Sequence, residues 1–319
     1  MIITRTPFRI TLGGGGTDLP EYYEKRGGFI LATAINKYMY VAVNKPKTDD
    51  LVHIKSRNTS ETAEDVSTIK HELARITLSE SGRINKIDVS SISDIDAGTG
   101  LGSSSCYVVG LLKATSNGGK EFMAEADYYL ERKIGRHIGK QDPYMATYGG
   151  MKMLEIGTEG KVKVTTIVLK PEVRRKLNRN LMLFFTGVTR QSEPVLKEQA
   201  DNISTNLDNF DKIKQIGLAT AGAIMNGNLD DVGELFDEHW QYKKATAKCI
   251  SNEKFDELYD FAKSNGALGG KISGAGGGGF FLFYVPKKHK DFTGKMKEKG
   301  LRHMEYKFEK GGSRVIYHD

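Results

Sequence analysis

The chain has 319 residues, of which 39% are hydrophobic and 27% charged, a balance typical of a globular protein long enough for two domains. Its net charge of +7 admits nucleic acid as a partner but suits small anionic substrates equally well. Two cysteines are too few for a disulfide framework or a zinc site. No apolar run approaches a membrane span and the first residues lack a signal-peptide pattern, so we expect a cytoplasmic protein.

The first half of the chain mixes strand-like and helix-like segments, which predicts a mixed α/β unit. Strands are predicted at 2–5, 9–12, 29–35, 38–44, 87–91, 151–156 and 162–169. Helices are predicted at 21–26, 67–78, 105–115, 121–135 and from Pro143 onward. The stretch 171–180 is polar and begins with a proline, so we place a domain boundary within it.

The second half begins with a strand and continues with helices, which predicts an α+β domain with an antiparallel sheet. The expected strands lie at 181–185 and 280–285, and a hairpin over 304–317 turns at Gly311 and Gly312. The expected helices lie at 195–203, 208–225, 229–247 and 253–264, and a basic helix ends at Gly300.

Three glycine clusters lie at 13–16, 98–102 and 274–279. Glycine is entropically costly in a folded chain, so the clusters predict backbone that a ligand approaches closely. The second cluster leads through serines into a predicted helix, an arrangement that binds phosphate but is also found in any capped helix after a loop. The third precedes a strand, which argues against a dinucleotide-binding fold, and the sequence contains no P-loop motif.

Three segments, taken in order, resemble the motifs of the GHMP small-molecule kinases. They are Pro-Phe-Arg-Ile through Gly-Thr-Asp at 7–18, Gly-Leu-Gly-Ser-Ser at 100–104, and Lys-Ile-Ser-Gly-Ala-Gly-Gly-Gly at 271–278. The resemblance covers nearly the whole chain. Two departures are Ala97, where many members carry proline, and Cys106, where alanine is common. The segments 13–18, 94–100 and 139–144 resemble the branch of the family that acts on heptose 7-phosphate.

This resemblance implies a two-domain α+β fold with the active site in the cleft between the domains. An N-terminal mixed α/β domain at 1–175 would bind ATP, and a C-terminal domain at 176–319 would have a ferredoxin-like antiparallel sheet. The implied reaction is phosphorylation of the anomeric hydroxyl of a sugar phosphate with ATP and Mg²⁺, by a monomer or homodimer.

Other functions stay open at this stage. Within the family they are a fucose or galactose 1-kinase and a mevalonate-pathway kinase. A nucleic-acid-binding module would need an aromatic-rich RNA-binding strand or a basic recognition helix, and the sequence shows neither pattern. An inactive sugar sensor would be expected to have lost a reacting group.

The resemblance assigns the ATP phosphates to the second motif. The residues implied are Gly98, Gly100, Leu101, Gly102, Ser103, Ser104 and Ser105. It also implies Ser104 and Glu131 as ligands of Mg²⁺, which prefers hard oxygen donors. The alternative for the serines is helix capping, and for Glu131 a solvent-facing position on its helix.

Asp142 and Arg9 correspond to the catalytic carboxylate and its neighbouring arginine. Asp142 would position or deprotonate the attacking hydroxyl, and Arg9 would stabilise negative charge on the transferred phosphate. Asp142 directly before Pro143 is also a good helix N-cap, and Arg9 could be an ordinary surface arginine on a strand.

Substrate binding is implied mainly for the first motif. Asp18 would bind sugar hydroxyls, although Asp18 and Glu21 also fit a capping box. The other implied substrate residues are Gly15, Gly16, Thr17, Thr189, Arg190, Gly276 and Gly277. Thr189 and Arg190 are the first candidates for a distal phosphate, and Lys271 and Lys37 the second.

Overall fold

Twelve strands and eleven α-helices form the part of the chain that the computed structural model describes, residues 1–57, 59–83 and 85–319. The strands are β1 (Ile2–Gly13), β2 (Gly28–Asn44), β3 (Val52–Lys55), β4 (Ser60–Ala63), β5 (Ile87–Ser93), β6 (Met151–Ile156), β7 (Val162–Thr166), β8 (Leu181–Phe185), β9 (Gly269–Ile272), β10 (Phe280–Tyr284), β11 (Arg302–Met304) and β12 (Arg314–His318). The helices are α1 (Pro20–Arg26), α2 (Glu72–Glu80), α3 (Ser103–Thr115), α4 (Lys120–Lys133), α5 (Gln141–Tyr148), α6 (Pro171–Asn180), α7 (Glu193–Asn202), α8 (Leu207–Asn226), α9 (Leu229–Lys244), α10 (Glu253–Ser264) and α11 (His289–Glu298). None of these helices has an apolar stretch long enough to cross a membrane.

The first sheet has eight strands in the order β12-β1-β2-β5-β3-β4, and β6 and β7 extend it from β2. Strands β3 and β5 run parallel, and the other described pairs are antiparallel. The sequence predicts two short strands in place of β1 and two in place of β2. In the structure β1 and β2 are each one continuous strand. The pairing between them shifts register after Pro7 but continues on both sides of it.

The second sheet has four antiparallel strands in the order β11-β8-β10-β9. Helices α7 to α10 connect β8 to β9, and α11 connects β10 to β11, which gives the β-α-β-β-α-β pattern of a ferredoxin-like unit. The predicted antiparallel α+β arrangement is therefore confirmed. The central strands β8 and β10 are almost entirely buried, which explains their continuous runs of apolar residues.

The predicted hairpin over 304–317 is wrong. Strand β11 pairs with β8 in the second sheet, whereas β12 pairs with β1 in the first sheet. Instead of turning a hairpin, Gly312 lies against α5, where a Cβ atom would come within 2.0 Å of the carbonyl oxygen of Thr147. The glycines thus let the chain cross back to the first sheet. The domain limits 1–175 and 176–319 stay a prediction, but by strand pairing the last strand belongs with the N-terminal half.

The proposed boundary at 171–180 is the helix α6, which the sequence analysis did not predict. Pro171 occupies the first turn, where its missing N–H group has no intrahelical partner to lose. Leu177 is buried in the main core, and Val173, one turn earlier, packs against the same core. This segment therefore joins the two sheets as a packed helix and not as a flexible linker.

Helix α3 packs on β1 and β2 and so brings its N-terminus to the junction of the two sheets. Helix α3 approaches these two strands closely because Gly110 has no side chain at the contact. A Cβ atom on Gly110 would lie 3.1 Å from both the Thr6 hydroxyl and the Val41 side chain. Positioned in this way, α3 directs its positive dipole end into the space between the sheets.

Candidate active site

A cavity of about 1120 Å³ lies between the two sheets, and all three glycine-rich segments contribute to its lining. The first segment contributes Gly15 and Gly16, and the third contributes Gly274. From the second segment, the lining residues are Gly98, Gly100, Gly102, Ser103 and Ser104. The structure therefore brings the first and third segments, which are more than 250 residues apart in the sequence, to the same cavity as the second.

The second and third glycine segments touch backbone to backbone. A Cβ atom on Gly100 would lie 2.4 Å from the carbonyl oxygen of Ser273, and one on Gly274 would lie 2.5 Å from the carbonyl oxygen of Gly100. Both glycines also have positive φ, +80° and +70° respectively. Only glycine fits both positions, and together the two segments form one wall of the cavity.

Arg9 and Asp142 form an ion pair at this wall, in which Arg9 is buried and Asp142 is partly exposed. Arg9 lies on β1 and Asp142 in the first turn of α5, and the Arg9 Nε and Nη2 atoms are each 2.6 Å from Asp142 Oδ1. The Nη1 atom of Arg9 donates to the carbonyl oxygen of Gly100 at 2.7 Å. Arg9 is only 3% exposed, so the surface-arginine alternative is wrong. The pair thus connects the carboxylate directly to the second glycine segment.

Asp142 does not cap α5. The helix begins at Gln141 with Lys140 as N-cap, so Asp142 lies inside the first turn and its side chain points to Arg9. The side chain of Gln141 donates from Nε2 to Asp142 Oδ1 at 3.1 Å and accepts from the Thr11 hydroxyl at 2.7 Å. Gln141, itself bonded to Thr11, thus gives the carboxylate a second support besides Arg9, which sequence reasoning missed although Gln141 is adjacent to Asp142.

Asp18 is buried next to this pair. Its carboxylate accepts hydrogen bonds from the backbone N–H groups of Gln141 at 3.0 Å and Gly16 at 3.2 Å. Burial raises the pKa of Asp18, and the nearby charge of Asp142 raises it further. The predicted capping box is wrong, because α1 has Leu19 as its N-cap and no side chain caps it. A Cβ atom on Gly139 would lie 2.0 Å from Asp18 Oδ2, so glycine is required at that position.

Ser104 and Glu131 both line the cavity beside the start of α3. Glu131 is 1% exposed, so its predicted alternative as a solvent-facing residue is wrong. Its carboxylate accepts from the Ser105 hydroxyl at 3.0 Å and lies 3.2 Å from Arg136 Nη1. Burial raises the pKa of Glu131, although Arg136 opposes this shift. The serines do not cap α3, whose N-cap is Gly102 in a left-handed conformation.

A second carboxylate, Asp127, lies one turn before Glu131 on α4. Both of its oxygens are buried and have no hydrogen-bond partner in the described structure. Burial and the neighbouring Glu131 raise the pKa of Asp127 well above its usual range.

The described residues contain no group of three or more His, Cys, Asp or Glu side chains arranged as a metal site. Mg²⁺ needs no such group, since it takes few protein ligands and keeps water and phosphate oxygens, so Ser104 and Glu131 fit this ion.

Six of the predicted or candidate residues do not line the cavity; these are Thr17, Leu101, Ser105, Gly276, Gly277 and Lys37. The Thr17 hydroxyl donates to the carbonyl oxygens of Gly14 and Phe29 at 2.8 Å each and so stabilises the first segment from behind. A Cβ atom on Gly276 would lie 2.8 Å from the Ile250 side chain, away from the cavity. Thr17 and Gly276 thus shape the segments that line the cavity without facing it.

Thr189 and Arg190 do line the cavity. The Nε atom of Arg190 donates to the carbonyl oxygen of Gly276, whereas Nη1 and Nη2 are buried without a hydrogen-bond partner in the described structure. Three further basic residues on the lining are His239, Lys243 and Lys271. Sequence reasoning missed His239 and Lys243, although their spacing of four residues puts both on the buried face of α9 with Phe236 and Trp240.

Two family models match this chain. The GHMP kinases N terminal domain matches residues 67–150, and the GHMP kinases C terminal model matches residues 220–295. The first match covers α2 to α5 with the second glycine segment, and the second runs from the last turns of α8 into α11 and includes the third glycine segment. The chain therefore belongs to the GHMP kinases. It is therefore an ATP-dependent kinase.

Within the family, the chain is similar to a heptose phosphate kinase over nearly its whole length. It is 29% identical to D-glycero-alpha-D-manno-heptose 7-phosphate kinase of Campylobacter jejuni, over 98% of this chain and 97% of the relative. A putative sugar kinase structure from Campylobacter jejuni, 27% identical, matches 98% of this chain and 97% of its own with a TM-score of 0.78. A D-glycero-D-manno-heptose 1-phosphate kinase structure from Bacteroides thetaiotaomicron has the same fold, with a TM-score of 0.83, 24% identity and full coverage of both chains.

Proposed function

We propose that this protein transfers the γ-phosphoryl group of ATP to the anomeric hydroxyl of D-glycero-D-manno-heptose 7-phosphate. The observation that carries the proposal is the Arg9–Asp142 pair, which bonds to Gly100 on the wall of the cavity that all three glycine segments line. The similarity to the heptose 7-phosphate kinase supports the choice of acceptor. A cytoplasmic location, a monomeric or homodimeric state and the lack of a nucleic-acid partner stay predictions from the sequence.

In the proposed reaction, Asp142 accepts a hydrogen bond from the anomeric hydroxyl and then its proton. The hydroxyl oxygen forms a bond to the γ-phosphorus, the bond from that phosphorus to the bridging oxygen breaks, and ADP leaves. Arg9 holds Asp142 in place and offers its permanent positive charge to the transferred group. Asp18, fixed by two backbone N–H groups, accepts a hydrogen bond from another sugar hydroxyl.

The phosphates of ATP would lie on the N–H groups at the start of α3, where the backbone is open to an anion. Ser104 and Glu131 would hold Mg²⁺ there. The ion supplies charge neutralisation on the β- and γ-phosphates when it is bound. Ser105 and Arg136 keep the Glu131 carboxylate oriented toward this position.

The test is an ATP-consumption assay with heptose 7-phosphate, unphosphorylated heptose, fucose, galactose and mevalonate. We expect the highest kcat/KM with heptose 7-phosphate. A higher kcat/KM with fucose or galactose would replace our proposal by a free-sugar 1-kinase. The attachment site is read from the product, because a phosphate on the anomeric carbon blocks reaction as a reducing sugar and one on another hydroxyl does not.

A further inference from the structure

Three basic side chains, His239, Lys243 and Lys271, form a cluster on the cavity wall that the proposed mechanism leaves unused. We call this cluster the basic pocket. His239 and Lys243 lie one turn apart on α9, and Lys271 lies on β9. All three line the cavity, yet they are only 1%, 5% and 1% exposed.

The basic pocket has few hydrogen bonds. The Lys271 Nζ atom and both ring nitrogens of His239 are buried and have no partner in the part of the chain that the structure describes. The Lys271 ammonium lies over the Phe236 ring, 4.8 Å from its centre. Lys243 alone is bonded, since its Nζ atom donates to the carbonyl oxygens of Ile272 at 2.9 Å and Gly274 at 2.5 Å.

No described carboxylate forms an ion pair with the basic pocket. The charged groups that act on its members are other cations, namely one another together with Arg9 and Arg190. Burying positive charge without a counter-ion is unfavourable. Burial accordingly lowers the pKa of Lys243 to about 7 and that of Lys271 well below its usual range. A bound anion would stabilise the charged forms of these two lysines.

The basic pocket connects to the acceptor end of the cavity. Thr246, which follows Lys243 by less than one turn, accepts a hydrogen bond at 2.8 Å from Gln199 Nε2. The same amide nitrogen would lie 3.9 Å from a Cβ atom on Gly16, in the segment that holds Asp18. Of the groups assigned to MgATP, Ser104 and Glu131 lie on α3 and α4. Gly100 touches Gly274, whose carbonyl oxygen accepts a hydrogen bond from Lys243, so KM for ATP is the measurement that separates the two sites.

We propose that the basic pocket binds the phosphate group that the acceptor sugar already carries. The ligand is a phosphate monoester dianion, and Lys271, Lys243 and His239 surround it with Arg190 at the edge. The inference rests on the proposed function for the identity of the acceptor. Of the four residues that the sequence suggested for the distal phosphate, the inference keeps Lys271 and Arg190, replaces Thr189 and Lys37, and adds His239 and Lys243 of α9.

The first test compares kinetic constants of Lys271→Met with those of the wild type. Methionine keeps the length of the side chain and its contact with Phe236 but removes the charge, and it breaks no hydrogen bond of the described structure. We expect KM for heptose 7-phosphate to rise about tenfold or more, which corresponds to one charged hydrogen bond. KM for ATP and kcat/KM for unphosphorylated heptose stay at wild-type values. Lys37→Met, at a lysine outside the cavity, is the matched control and leaves all constants unchanged.

Three results would overturn the basic pocket as the acceptor-phosphate site. An equal rise in KM for ATP would assign it to the nucleotide. An equal loss with heptose and heptose 7-phosphate would show that it does not distinguish the phosphate. If the wild type prefers heptose 7-phosphate and Lys271→Met keeps that preference, the pocket is wrong and the proposed function stands.

A second test does not depend on turnover. Calorimetry with inorganic phosphate, in the presence of a saturating magnesium complex of a non-hydrolysable ATP analogue that also fills the γ-phosphate position, measures an anion site outside the nucleotide site. We expect one phosphate per wild-type chain, the same affinity in Lys37→Met and about tenfold weaker binding in Lys271→Met. The absence of binding to the wild type, or equal binding to both variants, would contradict the basic pocket even if heptose 7-phosphate is not the substrate.

Discussion

The guanidinium of Arg9 bonds on one side to the Asp142 carboxylate and on the other to the backbone carbonyl of Gly100. These groups come from β1, from the first turn of α5 and from the glycine segment before α3. The arginine therefore sets the distance between the proposed proton acceptor and the segment proposed to hold the phosphates. A change at any of the three positions is expected to affect the other two.

Replacing Asp142 with Asn should lower kcat with heptose 7-phosphate by about a hundredfold to ten-thousandfold. The amide oxygen can still accept from Arg9, so the geometry is kept while the proton acceptor is lost. KM for ATP and the thermal unfolding midpoint should stay close to those of the wild type. The measurement is steady-state kinetics together with a thermal melt, and a wild-type kcat would remove Asp142 from the mechanism.

Replacing Glu131 with Gln should raise the Mg²⁺ concentration needed for half-maximal activity by about tenfold or more, because a neutral amide is a poorer ligand than a carboxylate. The Ser105 hydroxyl can still donate to the amide oxygen, so the helix pair α3 and α4 should stay folded. Glu125→Gln on the same helix is the control, since Glu125 binds Lys140 and Tyr144 and does not line the cavity. An unchanged Mg²⁺ dependence in Glu131→Gln would contradict its role as a ligand.

Replacing Gly100 with Ala should weaken ATP binding and destabilise the fold by about 1–3 kcal/mol. The new methyl group would meet the carbonyl oxygen of Ser273 at 2.4 Å, in a backbone conformation with φ of +80°. Gly119→Ala is the matched control, because that glycine has no atom within 4 Å of an added Cβ and an ordinary negative φ. Chemical denaturation and KM for ATP report the two effects. Equal behaviour of the two variants would show that the close contact between the glycine segments is unimportant.

Affinity for heptose 7-phosphate should fall as pH rises above about 7. Burial lowers the pKa of Lys243 to about 7, so its ammonium is charged below that pH and neutral above it in the free protein. A phosphate dianion binds the charged form better, and each bound molecule then takes up a proton. The groups around Lys243 are Arg190, Arg9, Lys271 and His239, and none is an acid that would reverse the sign.

The measurement is KM for heptose 7-phosphate between about pH 6 and pH 9, a range in which the sugar phosphate is mostly dianionic. In Lys243→Met the inflection near neutral pH should disappear, whereas Lys37→Met should retain it. An inflection that persists in Lys243→Met would assign the titration to another group. KM for ATP, measured in parallel, separates this effect from a general loss of activity.

Local sequence patterns were sufficient to predict most helices and strands and to single out the three glycine segments. The segments could be recognised because glycine, serine and charged residues rarely occur by chance at this spacing and in this order. The pairing of Arg9 with Asp142 was implied by the resemblance to the GHMP kinases, with Arg9 in the first motif and Asp142 in the segment 139–144. The alternatives involving capping failed for Asp18 and Asp142 because both side chains bond across the fold, to Gln141 and Arg9, and not within their own helices.

Features that depend on distant partners could not be predicted in this way. Strand β12 is exposed along its length, and nothing in its own residues indicates pairing with β1. His239 and Lys243 have the helical spacing expected for one face of α9, but burial of that face becomes evident only when α9 packs on β9. Asp127 is a similar case, because the burial of its carboxylate depends on how α4 packs in the fold.

The return of β12 to the first sheet means that the chain passes between the two sheets twice, once through α6 and once after β11. The four-stranded unit is therefore tied to the first sheet by two chain connections, and its strands β8 and β10 share one hydrophobic core with β1 and β2. Helix α8 also packs on β1 and β2. Arg9, on β1, and the basic pocket, on α9 and β9, thus belong to one packed unit, and the distance between them is fixed by that shared core.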